Sequence, residues 1–225
     1  MILATSFLRR TKDKYEDFCV AVSAPIFLLL LKPFGLLSGH LRPHTFDEAL
    51  RVIDLKLGLD GFALTRFSIA HNWFYLLLET VYLALPLAMA VAWITSKSRT
   101  LLHGCVIGAF LAFPLYMLVP AAGPEFTFAN WPFDGGIVTQ PAMMYPRNCF
   151  PSLHLTWALL LVLNSKGAWR WVFGAYSALM ALATIASGQH YAIDIVVALP
   201  FTFAVQAVSE WGWAKHATAQ KIQPA

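Results

Sequence analysis

Two short stretches concentrate the residues able to do chemistry. R-N-C-F-P-S-L-H-L-T-W at 147–157 carries His154, and S-G-Q-H-Y-A-I-D-I at 187–195 carries His190 and Asp194. His190 and Asp194 are four apart, so a helix puts them on one face within reach of each other. A carboxylate bonded to one ring nitrogen fixes the tautomer and leaves the other nitrogen to act as base or nucleophile. In the first stretch, Pro151 suits the opening turn of a helix, where its missing N–H costs nothing. A helix beginning there turns its free N–H groups and positive dipole end outward beside Ser152 and His154, an arrangement that holds phosphate. Arg147 is the one basic residue between 120 and 150, and its guanidinium fork matches phosphate oxygens in pairs. The expected catalytic set is His154, His190 and Asp194, with Arg147 and Ser152 binding an anion. Glu125, in G-P-E-F at 123–126, is expected either to tune a histidine or to order its loop.

The main chemical rival is a zinc site of two histidines and an aspartate. It is disfavoured, because no stretch resembles a metalloprotease helix and the adjacent Ser152 and Arg147 suit an anion better. No metal and no cofactor is expected. His40, His44, His71, His103 and His216 are read as structural. Cys19, Cys105 and Cys149 are widely spaced and match no metal spacing. On the topology below only Cys149 lies outside the cytoplasm, so no internal disulfide is expected.

The elements that must carry these residues are apolar. Of 225 residues, 58% are hydrophobic and 12% charged, against about 25% charged in a soluble domain. The mean hydropathy is +0.61, and several stretches approach the roughly 20 residues that cross a hydrocarbon core. A soluble core of this size would leave much apolar surface wet. The expected class is all-α, a polytopic membrane bundle forming a single domain over 1–225. The net charge of +4 and pI near 9.0 do not point to nucleic acid, because the basic residues sit in short loops and act as topology determinants.

Six spans are expected, at about 18–39, 72–95, 101–119, 151–165, 168–187 and 190–211. The first holds Lys32 and Pro33 and lacks a small-residue cleavage site, so it is not read as a cleavable signal. With the N-terminus inside, Arg9, Arg10, Lys12, Lys14, Lys97, Arg99, Lys166, Arg170, Lys215 and Lys221 fall on the cytoplasmic side. Arg42, Arg51, Lys56, Arg66 and Arg147 fall on the other. This bias places both termini in the cytoplasm, in a membrane expected to be a bacterial inner membrane. The fourth and sixth spans then run inward, so His154 and His190 meet at the outer face.

Two outer segments are long. In the first, about 40–71, Phe46, Leu50, Ile53 and Leu57 recur near helical spacing. A short amphipathic helix is expected at about 46–58, lying in the membrane interface or packed on the bundle, with Thr45 or Asp47 capping it. The second, about 120–150, is rich in Pro, Gly and aromatics. Phe126, Phe128, Trp131 and Phe133 suit the headgroup region, and a loop this long is usually functional. It is read as the active-site loop.

P-S-L-H at 151–154 followed by H-Y-A-I-D at 190–194 resembles the type 2 phosphatidic acid phosphatase superfamily, with its P-S-G-H and later S-R-x5-H-x3-D motifs. The inositol phosphorylceramide synthase and sphingomyelin synthase branch looks most similar, through H-Y-x-x-D and the G-P-E-F loop. The sequence departs from the superfamily at three places. It lacks a K-x6-R-P motif, the S-R pair falls at Ala183 and Thr184, and Leu153 replaces the usual Gly. These losses favour the transferase-like branch over a simple phosphatase. The resemblance implies six transmembrane helices and a lipid-phosphate substrate. It implies that His190 attacks phosphorus while Asp194 holds its ring, and that His154 protonates the leaving oxygen. The alternatives are a plain phosphatidic acid or prenyl diphosphate phosphatase and a non-catalytic lipid-phosphate-binding membrane protein.

Overall fold

A computed structural model of the chain describes Pro33, residues 36–138 and residues 145–222, the side chains of 134–138 and 212–222 excepted. The fold is helical. After a helical stretch at 36–41 come α1 (Asp47–Lys56), α2 (Gly61–Ala70), α3 (Asn72–Leu83), α4 (Leu85–Ser96) and α5 (Arg99–Leu118). The loop after α5 holds a single turn, α6 (Pro124–Thr127), and a small hairpin of β1 (Phe128–Asn130) and β2 (Asp134–Val138). Then follow α7 (Leu153–Leu163), α8 (Ala168–Ala186) and α9 (Ala192–Ile222). The hairpin is antiparallel, pairing Phe128 with Val138 and Asn130 with Asp134. Neither it nor α2 is anticipated by the hydrophobic pattern.

The centre of the bundle is α7. Its sequence, L-H-L-T-W-A-L-L-L-V-L, is apolar on nearly every side, and a helix of that kind belongs in a core rather than on a surface. Leu153, Leu155, Thr156, Trp157, Ala158, Leu160 and Leu161 are buried, packed among α5, α8 and α9. Trp157 also donates from its indole nitrogen to Cys105 O at 3.1 Å. Across the contact, a Cβ on Gly104 would sit 3.1 Å from Leu160, so a small residue there sets how closely α5 and α7 approach.

The six-span layout is not reproduced among the described residues. Only α5 and the Ala192–Trp211 part of α9, 20 residues each, are singly long and apolar enough to cross a membrane. The α3–α4 pair qualifies as a third span if counted as one element bent by 54°. Pro86, in the first turn of α4, has no N–H with which to continue the ladder of α3. The span expected at 151–165 is a helix of only 11 residues, about 16 Å long against a core of about 30 Å. α8 opens A-W-R-W, an interfacial composition that lowers its apolar character. Most of the expected 18–39 span lies outside the described residues, as do Cys19 and the basic residues before it.

α1 forms within the stretch read as amphipathic, but two of its acids, Asp47 and Asp54, point inward while Glu48 is exposed. Asp47, Leu50 and Asp54 are buried, while Phe46, Ile53 and Leu57 are 47%, 39% and 57% exposed. The helix starts after Phe46 with no side-chain cap, so neither Thr45 nor Asp47 takes the capping position. Asp47 is engaged elsewhere. A second core cluster of Leu50, Phe62, Ala121, Phe128, Cys149 and Tyr191 fills the space between α1 and the two motif loops.

Candidate functional site

Ser152, not Pro151, begins α7. Its backbone is extended and its Oγ accepts from Leu155 N at 3.4 Å, a serine N-cap. Pro151 stands one residue before the cap. His154 therefore lies in the first turn of α7, where its ring stacks on Tyr82 of α3 at 4.3 Å and 27°. Tyr82 Oη is 3.4 Å from His154 Nδ1.

His190 precedes α9 by two residues, so its contact with Asp194 is not a within-helix pair. Asp194 reaches back out of the first turn, and its Oδ2 accepts from Tyr191 N at 2.8 Å. The same oxygen is 3.4 Å from His190 Nδ1. A shorter contact, 2.8 Å, joins Nδ1 to the carbonyl oxygen of Cys149. A carbonyl can only accept, so Nδ1 carries the proton and Nε2 carries the lone pair. Nε2 lies 3.2 Å from Ser152 Oγ, whose hydroxyl donates to it. The two imidazoles stand edge to face with centroids 6.0 Å apart, within the range of direct ring contact.

The structure brings His154, His190, Asp194 and Ser152 together. Arg147 is fully buried, with Nε donating to Arg42 O at 3.2 Å and one terminal nitrogen to Tyr145 O at 3.1 Å. Burial draws its pKa down and the nearby Asp47 charge opposes that. Nε thus ties the segment before the motif to the chain near residue 42, while the bond to Tyr145 O is local to that segment. Glu125 accepts from Gln189 Nε2 at 3.0 Å, and its own N–H donates to Gly188 O at 3.1 Å. It fastens the 120–131 loop to the one carrying His190. Gly188 has φ +71°, and a Cβ there would fall 2.4 Å from the Trp131 ring. Only glycine fits that turn beneath the indole.

Several residues of the site were not singled out by sequence. Cys149 Sγ donates to Asp194 Oδ2 at 2.8 Å and lies 3.7 Å from His190 Nδ1. Burial, then the Asp194 and Asp47 charges, hold this thiol well above its ordinary pKa. Two carboxylates of α1 brace the loops. Asp47 accepts from Ala122 N (3.0 Å), Gly123 N (2.8 Å) and Tyr191 Oη (2.9 Å). Asp54 accepts from Ala192 N and Ile193 N, both at 2.8 Å, and so caps α9 from a different helix. Burial raises the Asp54 pKa, although these two N–H groups work against it. Asp47 and Asp54 are seven apart, two helical turns on one face, and that spacing was the legible signal.

The sequence model of the PAP2 superfamily matches residues 48–208, a stretch running from α1 through α9 and containing both motifs. The chain belongs to the PAP2 superfamily. Searches of curated proteins and of solved structures gave no match. Superfamily membership and the apolar helices make this a membrane protein of lipid-phosphatase type.

Proposed function

We propose that the chain is an integral membrane enzyme that transfers a phosphoryl group from a lipid phosphate through a phosphohistidine on His190. The observation that carries this reading is the pinned ring of His190, with Nδ1–H on the Cys149 carbonyl and Nε2 against the Ser152 hydroxyl at the start of α7. In the first step the Nε2 lone pair attacks phosphorus, the bond from phosphorus to the leaving oxygen breaks, and His154 delivers a proton to that oxygen. In the second, His154 takes a proton from water or an acceptor hydroxyl, whose oxygen attacks phosphorus and releases His190. Splitting one displacement into two lowers each barrier. The Asp194 carboxylate stabilises the positive charge on the ring. Ser152, the N-terminus of α7 and the charge of Arg147 favour the phosphoryl oxygens.

The transferase reading, that of the inositol phosphorylceramide synthase-like branch, is supported by a cleft of about 500 Å³ beside the site. Tyr82, Gln189, Glu79 and Glu125 line it among other polar and apolar residues, and no Lys or Arg does among the described residues. Carboxylates accept from hydroxyl groups and repel a second phosphate. We place the site at the outer face of a bacterial inner membrane, with both termini cytoplasmic. The test incubates purified protein with a labelled lipid phosphate, with and without candidate alcohols. Label is expected in a phosphomonoester of the acceptor alcohol when the right acceptor is present. Free phosphate released at full rate without acceptor would overturn the transferase reading in favour of a hydrolase.

A further inference from the structure

We propose that Cys149, His190 and Asp194 form a binding site for a thiophilic divalent cation, and that its occupation switches the enzyme off. The proposal rests on the phosphohistidine reading for its consequence, though not for the binding itself. The three side chains come from the loop before α7 and from the start of α9, and all are buried. Their ligand atoms lie within 4.8 Å of one another. His154 is not part of the cluster, so this is a different set from two histidines and an aspartate.

Geometry makes the case. Tetrahedral zinc with bonds of about 2.3 Å to sulfur and about 2.0–2.1 Å to nitrogen and oxygen requires edges of about 3.3 Å for N···O and about 3.6 Å for S···N. The site presents 3.4 Å from Nδ1 to Oδ2 and 3.7 Å from Sγ to Nδ1. Only Sγ to Oδ2, at 2.8 Å, is shorter than the roughly 3.6 Å edge, and that contact is a thiol hydrogen bond that vanishes with the proton. The other carboxylate oxygen, Asp194 Oδ1, is buried with no hydrogen-bond partner among the described residues, so the carboxylate keeps an acceptor position beyond the Oδ2 that contacts Cys149 and His190. A dication with one thiolate and one carboxylate is also formally neutral, which suits a buried position.

The proton inventory gives the consequence. The thiol proton leaves to solvent as the metal–sulfur bond forms. Nδ1 exchanges its hydrogen bond to the Cys149 carbonyl for the metal, giving up its proton while Nε2 takes one from solvent, so the ring stays neutral and the thiol proton is the only net release. Nε2 then has no lone pair to attack phosphorus.

Cadmium is the probe, because a thiolate–cadmium bond gives an ultraviolet charge-transfer band that requires no substrate. Purified full-length protein titrated with Cd²⁺ is expected to develop this band with a one-to-one endpoint. Turnover of a lipid phosphate is expected to fall at least tenfold in parallel and to return on chelation. Cys149→Ser should lose the band and, whatever its own rate, the cadmium sensitivity. Asp194→Asn should weaken cadmium binding at least tenfold, read from the band alone. No band, or a band and inhibition that persist in Cys149→Ser, would overturn the proposal by placing the metal elsewhere or nowhere. A band that depends on Cys149 in a protein with no lipid-phosphate turnover would uphold the site and contradict the catalytic reading.

Discussion

A buried imidazole with a carbonyl on one nitrogen has its tautomer decided before substrate arrives, and His190 is in that condition. Two predictions belong to this scale. His154→Ala should lower turnover of a lipid phosphate by about 10²–10⁴-fold, the usual worth of general acid–base help. The loss should shrink with a phosphate ester whose leaving group needs no proton, and an equal loss on both esters would contradict the acid role. Ser152→Ala removes both the cap of α7 and the hydroxyl on Nε2. It should cost about 0.5–2 kcal/mol of stability and reduce the rate as well, read by thermal melting in detergent alongside turnover. The pairing of His190 with Asp194 was legible from their spacing, although the helix begins only after His190. Cys149 was not legible, because its contacts cross from one loop to another and leave no periodic trace. Arg147 was legible as a lone cation, but two of its donors hold backbone carbonyls, and sequence carries no sign of which acceptors a guanidinium will meet.

Elements are held in place here by carboxylates on backbone N–H groups. Asp54→Ala leaves the Ala192 and Ile193 N–H groups without acceptors at the start of α9, at a cost of about 1–3 kcal/mol. It should lower the melting temperature and the rate together, because His190 stands two residues before that helix. A variant with wild-type melting and turnover would show that α1 does not brace the site. Asp60, between α1 and α2, has a second kind of role. Burial pushes its carboxyl up, but the hydrogen bond and charge of Arg51, then Arg66, carry the net pKa below the ordinary value. Its folded pKa is thus below its unfolded one, so its stabilisation is present above the unfolded value and lost as pH falls through the folded one. Asp60→Asn should flatten the acid side of the stability profile below about pH 4, by less than about 1 kcal/mol because the pair is exposed. Melting curves across that range check it, and an unchanged acid limb would contradict the ion-pair account. The helix at α1 was readable from its period, whereas the partners of its acids were not. The 40–71 segment reads as polar enough for the surface, yet two of its carboxylates point inward to satisfy donors from distant loops.

At the scale of the whole molecule, the composition pointed to a membrane bundle and the two motifs to the PAP2 superfamily, which the match over 48–208 shows. The span layout was less legible, because α7 is apolar for burial by its neighbours rather than by lipid. Hydropathy does not separate those two environments. The proposed topology puts the hairpin and the α7–α8 turn on opposite sides. Phe133→Cys and Lys166→Cys test it, both replacing exposed residues. A membrane-impermeant maleimide added to intact cells should label the first and not the second. Equal labelling from one side would contradict the arrangement.

The central claim is that phosphorus is held covalently on His190 during turnover. Purified protein mixed with a lipid phosphate labelled on phosphorus, quenched under alkaline conditions and digested, can be searched for phosphohistidine by mass spectrometry. The account predicts label on the peptide containing His190, absent in His190→Ala, which should also be inactive while still folded. Turnover that survives His190→Ala, or label on another residue, would contradict it.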